Sequence, residues 1–367
     1  MTEQELSAYI QAIRPADEAA MEAARRRQAQ LAKPPGSLGQ LEEISIRLAG
    51  VTGQVCPAMG KCRVAVFAAD NGVVAEGVSC TPPAVTMQQA VNMTFRKTGM
   101  SAMAAAFGDD VSVVDVGIDG DVPPVGVLDR KVRRGTGDIA REDAMTHQQV
   151  LDAMAAGMEQ AARARADGVT ALGIGEMGIG NTTTSAAVLA ALTGADIEAV
   201  TGRGGGLTDE GFLRKKKVLR QALALHRPDG SDVIGVLAGV GGLDLAAMTG
   251  AFLGCAHERV PAAVDGFISI AAALCAVRLC PAVRDVLFLS HDSYEVGYRI
   301  AAEALGLQPC LRLGMRLGEG SGCPLLFRVL EGACGVMRGM ATFGEASIED
   351  SYLDEIRAMD AFTVEGA

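Results

Sequence analysis

The sequence predicts an α/β protein in which a parallel β-sheet is covered by helices on both faces. Short apolar runs alternate along the chain with long Ala-rich segments of helical composition. The apolar runs lack polar alternation, which is typical of strands buried on both sides of a parallel sheet. Hydrophobic residues make up 49% of the 367 residues, but aromatic residues only 4%, with no Trp. The core is therefore expected to be aliphatic.

The first segment, up to about residue 55, predicts helices. Residues 15–32 are rich in strong helix formers and contain no internal breaker. The sequence Lys33-Pro-Pro-Gly-Ser-Leu-Gly39 ends this helix abruptly, and a second helix is expected over 41–49.

The central segment predicts the sheet and its covering helices. Strands are expected at 63–69, 111–116, 169–174, 233–237, 262–264 and 286–289. Helices are expected at 85–107, 146–167, 182–192, 208–226, 243–255 and 267–279. Residues 324–340 and 348–359 are again helical in composition. We therefore expect residues 1–55 and 324–367 to form a small helical domain beside a catalytic α/β domain over 56–323.

Composition and charge exclude several classes of function. A net charge of -11 disfavours nucleic acid as a partner, although a local basic cluster could still bind an anionic small molecule. The nine cysteines are scattered without a CxxC pair, and the four histidines lack metal-ligand spacing, so we expect no metal site. No apolar run is long enough to span a bilayer, and the amino terminus does not resemble a secretory signal. A cytoplasmic protein with no membrane partner is expected.

Two glycine-rich loops each contain one glutamate. Glu319 stands between Gly318 and Gly320, and Glu176 lies within the loop 173–184. Glycines let the backbone approach a ligand closely, and a carboxylate held there can act as a general base. Either loop alone could be an ordinary turn with an exposed glutamate. Because both follow apolar runs, we expect them to meet at the carboxyl edge of the sheet as one active site.

Other motifs around these loops have less specific interpretations. Residues 178–183 precede a helix, whose amino terminus suits a phosphate, but a capped helix start explains them about as well. The chain has no Walker loop, and the Gly-x-Gly-x-x-Gly match at 173–178 lacks a convincing ribose-binding acid. The loop 201–206 is followed by the basic run Arg214–Lys217, of which at most one lysine should point inward. His291 follows a predicted strand and is interpreted as a structural or ligand-orienting residue, because the chain has no GxSxG elbow.

Several of these motifs together resemble one family, the nicotinate-nucleotide–dimethylbenzimidazole phosphoribosyltransferases. They are Lys33-Pro-Pro-Gly-Ser-Leu-Gly39, Phe67-Ala-Ala-Asp-Asn-Gly72, Gly175-Glu-Met-Gly-Ile-Gly-Asn-Thr-Thr183, Asp265-Gly-Phe-Ile-Ser269, Arg316-Leu-Gly-Glu-Gly-Ser-Gly322 and Met340-Ala-Thr-Phe-Gly-Glu-Ala346. The resemblance implies transfer of phosphoribosyl from nicotinate mononucleotide to 5,6-dimethylbenzimidazole with inversion at the anomeric carbon, giving the lower ligand of cobalamin. It also implies a homodimer, a Rossmann-like sheet beside a small helical domain, and no cofactor or metal.

The resemblance also implies roles for individual residues. Glu319 falls on the family's catalytic base, and Glu176 on a second glutamate near the ribose or the acceptor. The other implied substrate-binding residues are Gly178, Gly180, Asn181, Thr182 and Lys215 around the phosphate, Arg316 and Ser293 nearby, Thr81, Gln89, Met177 and Leu317 around the acceptor base, and Gly204.

The chain departs from the family pattern at a few positions. Asn71 stands where the family usually has His, Thr81 where it has Ser, and Cys323-Pro324 where small residues follow the Glu319 loop. These changes leave the acceptor open, so adenine, benzimidazole or a phenol are alternatives to dimethylbenzimidazole. A non-catalytic nucleotide-binding protein is a further alternative, against which the presence of both Glu319 and Glu176 argues.

Overall fold

In the computed structural model, which describes residues 1–122 and 126–355, six strands form one parallel sheet. The strands are β1 (Cys62–Ala69), β2 (Asp110–Gly117), β3 (Val127–Asp129), β4 (Ala171–Met177), β5 (Ala262–Val264) and β6 (Leu287–Leu289). Their spatial order is β3-β2-β1-β4-β5-β6, with every neighbouring pair parallel. The chain thus winds outward in both directions from β1 and β4, and such a reversal opens a ligand crevice at the carboxyl ends of these two strands.

Helices surround the sheet, as predicted. Within the described residues they are α1 (Glu3–Ala12), α2 (Glu18–Gln30), α3 (Gln40–Thr52), α4 (Val85–Thr94), α5 (Gly99–Phe107), α6 (His147–Ala166), α7 (Asn181–Thr193), α8 (Ile197–Val200), α9 (Asp209–His226), α10 (Val233–Val240), α11 (Leu243–Glu258), α12 (Phe267–Leu279), α13 (Gly297–Leu305) and α14 (Cys323–Gly339). Short 3-10 helices lie at Gly72–Glu76, Pro281–Val286 and Ser351–Leu353.

The core is aliphatic, and small residues let its layers approach closely. On one side, α6 crosses α11 so tightly that a Cβ on Gly157 would collide with the Ala247 carbonyl oxygen. On another, a Cβ on Gly173 of β4 would lie 2.5 Å from the Cβ of Cys323 at the start of α14. Strands β1 and β4 are almost completely buried, which explains why their sequences show no polar alternation.

One predicted strand is wrong. Residues 233–237 belong to helix α10, which is capped by Asp232 through a 2.9 Å hydrogen bond from the Gly235 amide. Most of this helix is buried, so its sequence lacks the polar face that marks a helix, and a short apolar run alone does not distinguish the two structures. The sixth strand is instead β3, whose three residues are too short to give a periodic signal.

The helix predicted over 85–107 is also wrong in its continuity, because it is two helices. The chain turns at Arg96, which has a positive φ of 60°, and α5 restarts with a capping box between Thr98 and Ser101. This break directs the amino terminus of α5 into the candidate site described below. Helices α8 and α13 were not predicted.

The two chain ends pack on each other. Helices α2 and α3 and the end of α14 share a small apolar cluster that includes Ala24, Ala49 and Met337, and Leu31 pairs with Thr342 in an antiparallel bridge. The division into domains at 55/56 and 323/324 stays a prediction. The helix predicted over 348–359 is not formed at 348–350, and residues 356–359 lie outside the described part. None of the described helices is long and apolar enough to cross a membrane.

Candidate active site

A pocket of about 270 Å³ opens at the carboxyl edge of the sheet. Glu176 at the end of β4 and Asp265 just after β5 form part of its wall. The loop 316–319 lies on one side, and the segments 78–89 and 203–207 contribute further lining residues. The two glutamate loops therefore meet in one pocket, as the sequence predicts.

The Glu319 loop has an unusual backbone. Gly318, Glu319 and Gly320 have consecutive positive φ values of 82°, 63° and 82°. At Gly318 a Cβ would lie 2.5 Å from Glu176 Oε1, and at Gly320 a Cβ would lie 2.8 Å from a methyl group of Val64. Glycine is therefore required on both sides, while Glu319 itself bears a left-handed conformation that costs an L-residue about 1–2 kcal/mol. Such strain is characteristic of functional sites.

Glu319 is a buried residue, only 5% exposed, and its carboxylate contacts the start of α5. The backbone N–H of Met100 donates to Glu319 Oε2 at 3.2 Å. Burial raises the pKa of Glu319 above its ordinary value, while the Met100 amide and the Thr98 hydroxyl oppose that shift and the charge of Asp265 adds to it. A buried carboxylate with a raised pKa is a better proton acceptor near neutral pH than an exposed one.

Two buried carboxylates, of Glu176 and Asp265, accept hydrogen bonds from the backbone of the Glu319 loop. The amide of Glu319 donates to Glu176 Oε1 at 3.3 Å. The amides of Gly320 and Gly322 donate to the two oxygens of Asp265, at 3.0 and 2.7 Å. The loop is thus fixed by the ends of β4 and β5.

Glu176 belongs to a second hydrogen-bonded cluster. The side-chain amide of Asn181 donates both to Glu176 Oε2 and to Asp244 Oδ2, the latter at 2.9 Å. Burial raises the pKa of Glu176 to about 8, helped by the charge of Asp244, and burial raises the pKa of Asp244 to about 6. Both N–H groups of the Asn181 side chain are therefore engaged, and its backbone N–H donates to the Gly178 carbonyl oxygen at 3.2 Å.

The other end of the pocket has the features of an anion site. Gly180 precedes α7 with a positive φ of 96°, so the amino terminus of α7 faces the pocket wall at Asn181 and Thr182. Lys215 is fully buried, and its Nζ donates to Thr182 Oγ1 at 2.8 Å. Burial lowers the pKa of Lys215 to about 8, opposed by the charge of Glu295. A Cβ on Gly204 would lie 2.9 Å from Thr182 Oγ1.

The basic run behaves as predicted, with one lysine pointing inward. Lys215 is buried, Lys217 is exposed, and Lys216 pairs with Glu198 at the surface. Lys215 is also the one predicted site residue that does not line the pocket itself, which it reaches through Thr182. The predicted residues that line it are Thr81, Gln89, Glu176, Met177, Gly178, Gly180, Asn181, Thr182, Gly204, Ser293, Arg316, Leu317 and Glu319. Their individual roles stay predictions.

Some residues of the site were not predicted. Asp265 was part of a recognised motif without an assigned role, although its position just after a strand is a usable signal. Asp244 has no signal in the sequence, since it lies at the start of α11 and reaches Asn181 only through the fold. Arg203 lines the pocket beside Gly204 and was also missed.

His291 is not part of a catalytic triad. Ser290 Oγ lies 3.0 Å from His291 Nδ1, and Asp265 Oδ1 lies 3.9 Å from the same nitrogen. Because both neighbours face one nitrogen, the ring cannot relay a proton between them. Over residues 1–122 and 126–355, no group of three or more His, Cys, Asp or Glu side chains is arranged to hold a metal ion.

Comparisons with known proteins agree with this geometry. A family model described as phosphoribosyltransferase matches residues 13–348. The chain is 46% identical over 341 residues to a nicotinate-nucleotide–dimethylbenzimidazole phosphoribosyltransferase of Clostridium perfringens strain 13, covering 93% of this chain and 94% of the relative. It is 45% identical to the enzyme of the same name from Geobacter metallireducens, covering 94% and 98%. It is similar to a crystal structure of CobT from Thermus thermophilus, with a TM-score of 0.87 and 45% identity, covering 91% of this chain and all of that one.

Proposed function

This chain belongs to the nicotinate-nucleotide–dimethylbenzimidazole phosphoribosyltransferase family, and on that premise we propose that it transfers phosphoribosyl from nicotinate mononucleotide to 5,6-dimethylbenzimidazole. The products are α-ribazole 5′-phosphate and nicotinate, in the assembly of the lower ligand of cobalamin. The single observation that carries the assignment of the base is Glu319, a buried carboxylate held on a strained glycine loop at the pocket wall.

One proton acceptor suffices for this reaction. One nitrogen of the benzimidazole attacks the anomeric carbon of the ribose, and the bond from that carbon to the pyridinium nitrogen breaks. Its electron pair stays with the nitrogen, so nicotinate leaves with a neutral ring and needs no general acid. The proton on the other benzimidazole nitrogen passes to the Glu319 carboxylate. Attack opposite the leaving group converts the β-linkage into an α-linkage.

Glu176 suits a supporting role in this scheme. With a pKa raised to about 8 by burial, it carries a proton in most molecules at neutral pH. A protonated Glu176 reduces the negative charge that the anionic nucleotide meets, while its oxygens still accept from the Glu319 and Asn181 N–H groups. Glu319 is then left as the proton acceptor.

The two ends of the pocket suit the two ends of the substrates. Lys215, Thr182 and the amino terminus of α7 would receive the phosphate, because they combine a positive charge, a hydroxyl and the positive end of a helix dipole. Met177 and Leu317 would contact the flat acceptor base, with Gln89 and Thr81 as fixed polar groups. The homodimer and the cytoplasmic location stay predictions from the sequence.

A chromatographic assay tests the proposal. The protein is incubated with nicotinate mononucleotide and a panel of bases, and nicotinate release is followed with the masses of new nucleotides. We expect stoichiometric nicotinate and α-ribazole phosphate, with kcat falling about 10²–10⁴-fold in Glu319→Gln. The acid limb of the wild-type pH profile should lie above the ordinary range of a glutamate, because the rate is lost as Glu319 gains its proton.

The other outcomes identify the alternatives. Turnover with adenine, benzimidazole or a phenol in place of dimethylbenzimidazole would keep the mechanism and change the acceptor. Full activity of Glu319→Gln would overturn the assignment of the base. Nucleotide binding without turnover on any base would leave a non-catalytic nucleotide-binding protein.

A further inference from the structure

We propose that Asp265 is a positioning residue for this reaction, which holds the Glu319 carboxylate at the reaction centre through the amides of Gly320 and Gly322. The inference rests on the proposed role of Glu319 as the base. It assigns to Asp265 a task that is distinct from substrate contact and from a general structural role.

The geometry is specific to a carboxylate. Asp265 is 2% exposed, and each of its two oxygens accepts one loop amide, from Gly320 at 3.0 Å and from Gly322 at 2.7 Å. An asparagine has a single acceptor oxygen, so its N–H group would face one of the two amides without a bond. Glu319 directly precedes Gly320, and the left-handed conformations at 318–320 make its side-chain direction depend on these anchors.

Asp265 is stabilised as a carboxylate by electrostatic attraction to His291 and by backbone amides, those of Gly322, Gly266 and Gly320. His291 Nδ1 lies 3.9 Å away, too far for a hydrogen bond, so His291 does not replace the loop amides as a hydrogen-bond partner. The charge of Asp265 raises the pKa of Glu319, of Glu176 and of the Tyr298 hydroxyl, and burial raises the pKa of Asp265 itself. A buried carboxylate kept in such a place is costly unless the amides that it accepts offset the loss of water. Asp265 therefore orients the Glu319 carboxylate and also increases its basicity.

The chain offers a matched control in Asp115. Asp115 is also 2% exposed, lies at the same edge of the sheet in β2, and accepts two successive backbone amides, from Gly117 at 3.0 Å and from Ile118 at 2.9 Å. It pairs with Lys131 and does not line the pocket. Both of these amides reach one oxygen, Oδ1, so Asp115→Asn removes a buried carboxylate charge at the same sheet edge, away from Glu319, while its remaining oxygen can still accept both amides.

The test compares Asp265→Asn, Asp265→Glu and Asp115→Asn in the nicotinate-release assay, with melting temperatures to confirm folding. For Asp265→Asn we expect kcat to fall about 100-fold, the effect of roughly 1 Å of misplacement, while KM for nicotinate mononucleotide changes little. The acid limb of its pH profile should move to lower pH, because the charge that raises the pKa of Glu319 is gone.

Asp265→Glu keeps the charge, so its kcat should fall without that movement of the acid limb. Asp115→Asn should lose stability but keep kcat and the position of the limb.

Each contrary result overturns the inference without touching the proposed transfer. An acid limb that stays in place in Asp265→Asn, or that moves equally in Asp115→Asn, would mean that Asp265 is merely structural. A rise in KM with unchanged kcat would make it a substrate contact. If Asp265→Asn does not fold, an unchanged kcat in a folded Asp265→Glu would overturn the inference by itself. Failure of the assigned base is seen separately, as full activity of Glu319→Gln, and failure of the proposed function as no turnover by the wild-type protein.

Discussion

The two glutamate loops look alike in sequence but differ in structure. Glu176 is the next-to-last residue of strand β4, and its carboxylate accepts from two N–H groups, of Asn181 and of Glu319. Glu319 lies on a loop with three consecutive positive φ values, and its carboxylate accepts from the Met100 amide at the pocket wall. One glutamate therefore supports the other. A glycine-flanked carboxylate indicates a site, and the strained backbone of the Glu319 loop is the feature that favours Glu319 over Glu176 as the proposed base.

The largest expected difference between the loops is in kcat. Glu319→Gln should lower kcat about 10²–10⁴-fold, because it removes the proton acceptor. Glu176→Gln replaces a group that is mostly protonated at neutral pH and should lose one neutral hydrogen bond, about 0.5–1.5 kcal/mol or roughly tenfold at most. The measurement is single-turnover nicotinate release for both variants at pH 7. Equal losses would contradict the division of roles and indicate that both carboxylates take part in proton transfer.

The next difference separates binding from chemistry. Lys215 donates a hydrogen bond to Thr182, which lies on the Glu176 loop at the proposed phosphate site. Lys215→Met should therefore raise KM for nicotinate mononucleotide by about 10–100-fold, which is the value of one charge-assisted hydrogen bond. Lys217→Met is the matched control, since it removes an exposed lysine from the same run and should leave KM unchanged.

The pH dependence gives the same prediction a second readout. Burial lowers the pKa of Lys215 to about 8, so the free protein loses this positive charge as the pH rises through that value. Above the acid limb of Glu319, we expect kcat/KM for the nucleotide to fall as the pH rises through about 8, and Lys215→Met to lack this alkaline limb. A limb that persists in Lys215→Met would assign the titration to another group.

The comparison also shows how far sequence reasoning reaches. Apolar runs predicted most of the strands because burial on both faces leaves a local signal, and the end of β4 explains why Glu176 lies at the carboxyl edge. Glu319 also lies there, but its loop follows helix α13 and not a strand. The break at Arg96 was missed although Thr98 and Gly99 are poor helix formers and Thr98 is a usual N-cap residue. It is this break that brings Met100 to Glu319, 219 positions away in the chain. Asp244 and its contact with Asn181 were missed because only the fold brings these two residues together.

The smallest expected effect is on stability, and it tests how tightly the glycines of the two loops pack against neighbouring atoms. At Gly175 a Cβ would lie 2.7 Å from the Glu319 carbonyl oxygen, and at Gly320 a Cβ would lie 2.8 Å from Val64 and 3.2 Å from the Gly175 Cα. Gly194 has a positive φ of 70° like Gly320, at 82°, but a Cβ there meets no atom within 4 Å. Gly194→Ala should therefore lower the free energy of unfolding by about 1–2 kcal/mol from backbone strain alone. Gly320→Ala should lose about 1–3 kcal/mol more, because the packing must also move. Urea unfolding of both variants measures the two losses in the free energy of unfolding. Equal losses would mean that Val64 and Gly175 move aside without cost. The Glu319 loop would then be held by the hydrogen bonds of its amides and not by its packing against β4.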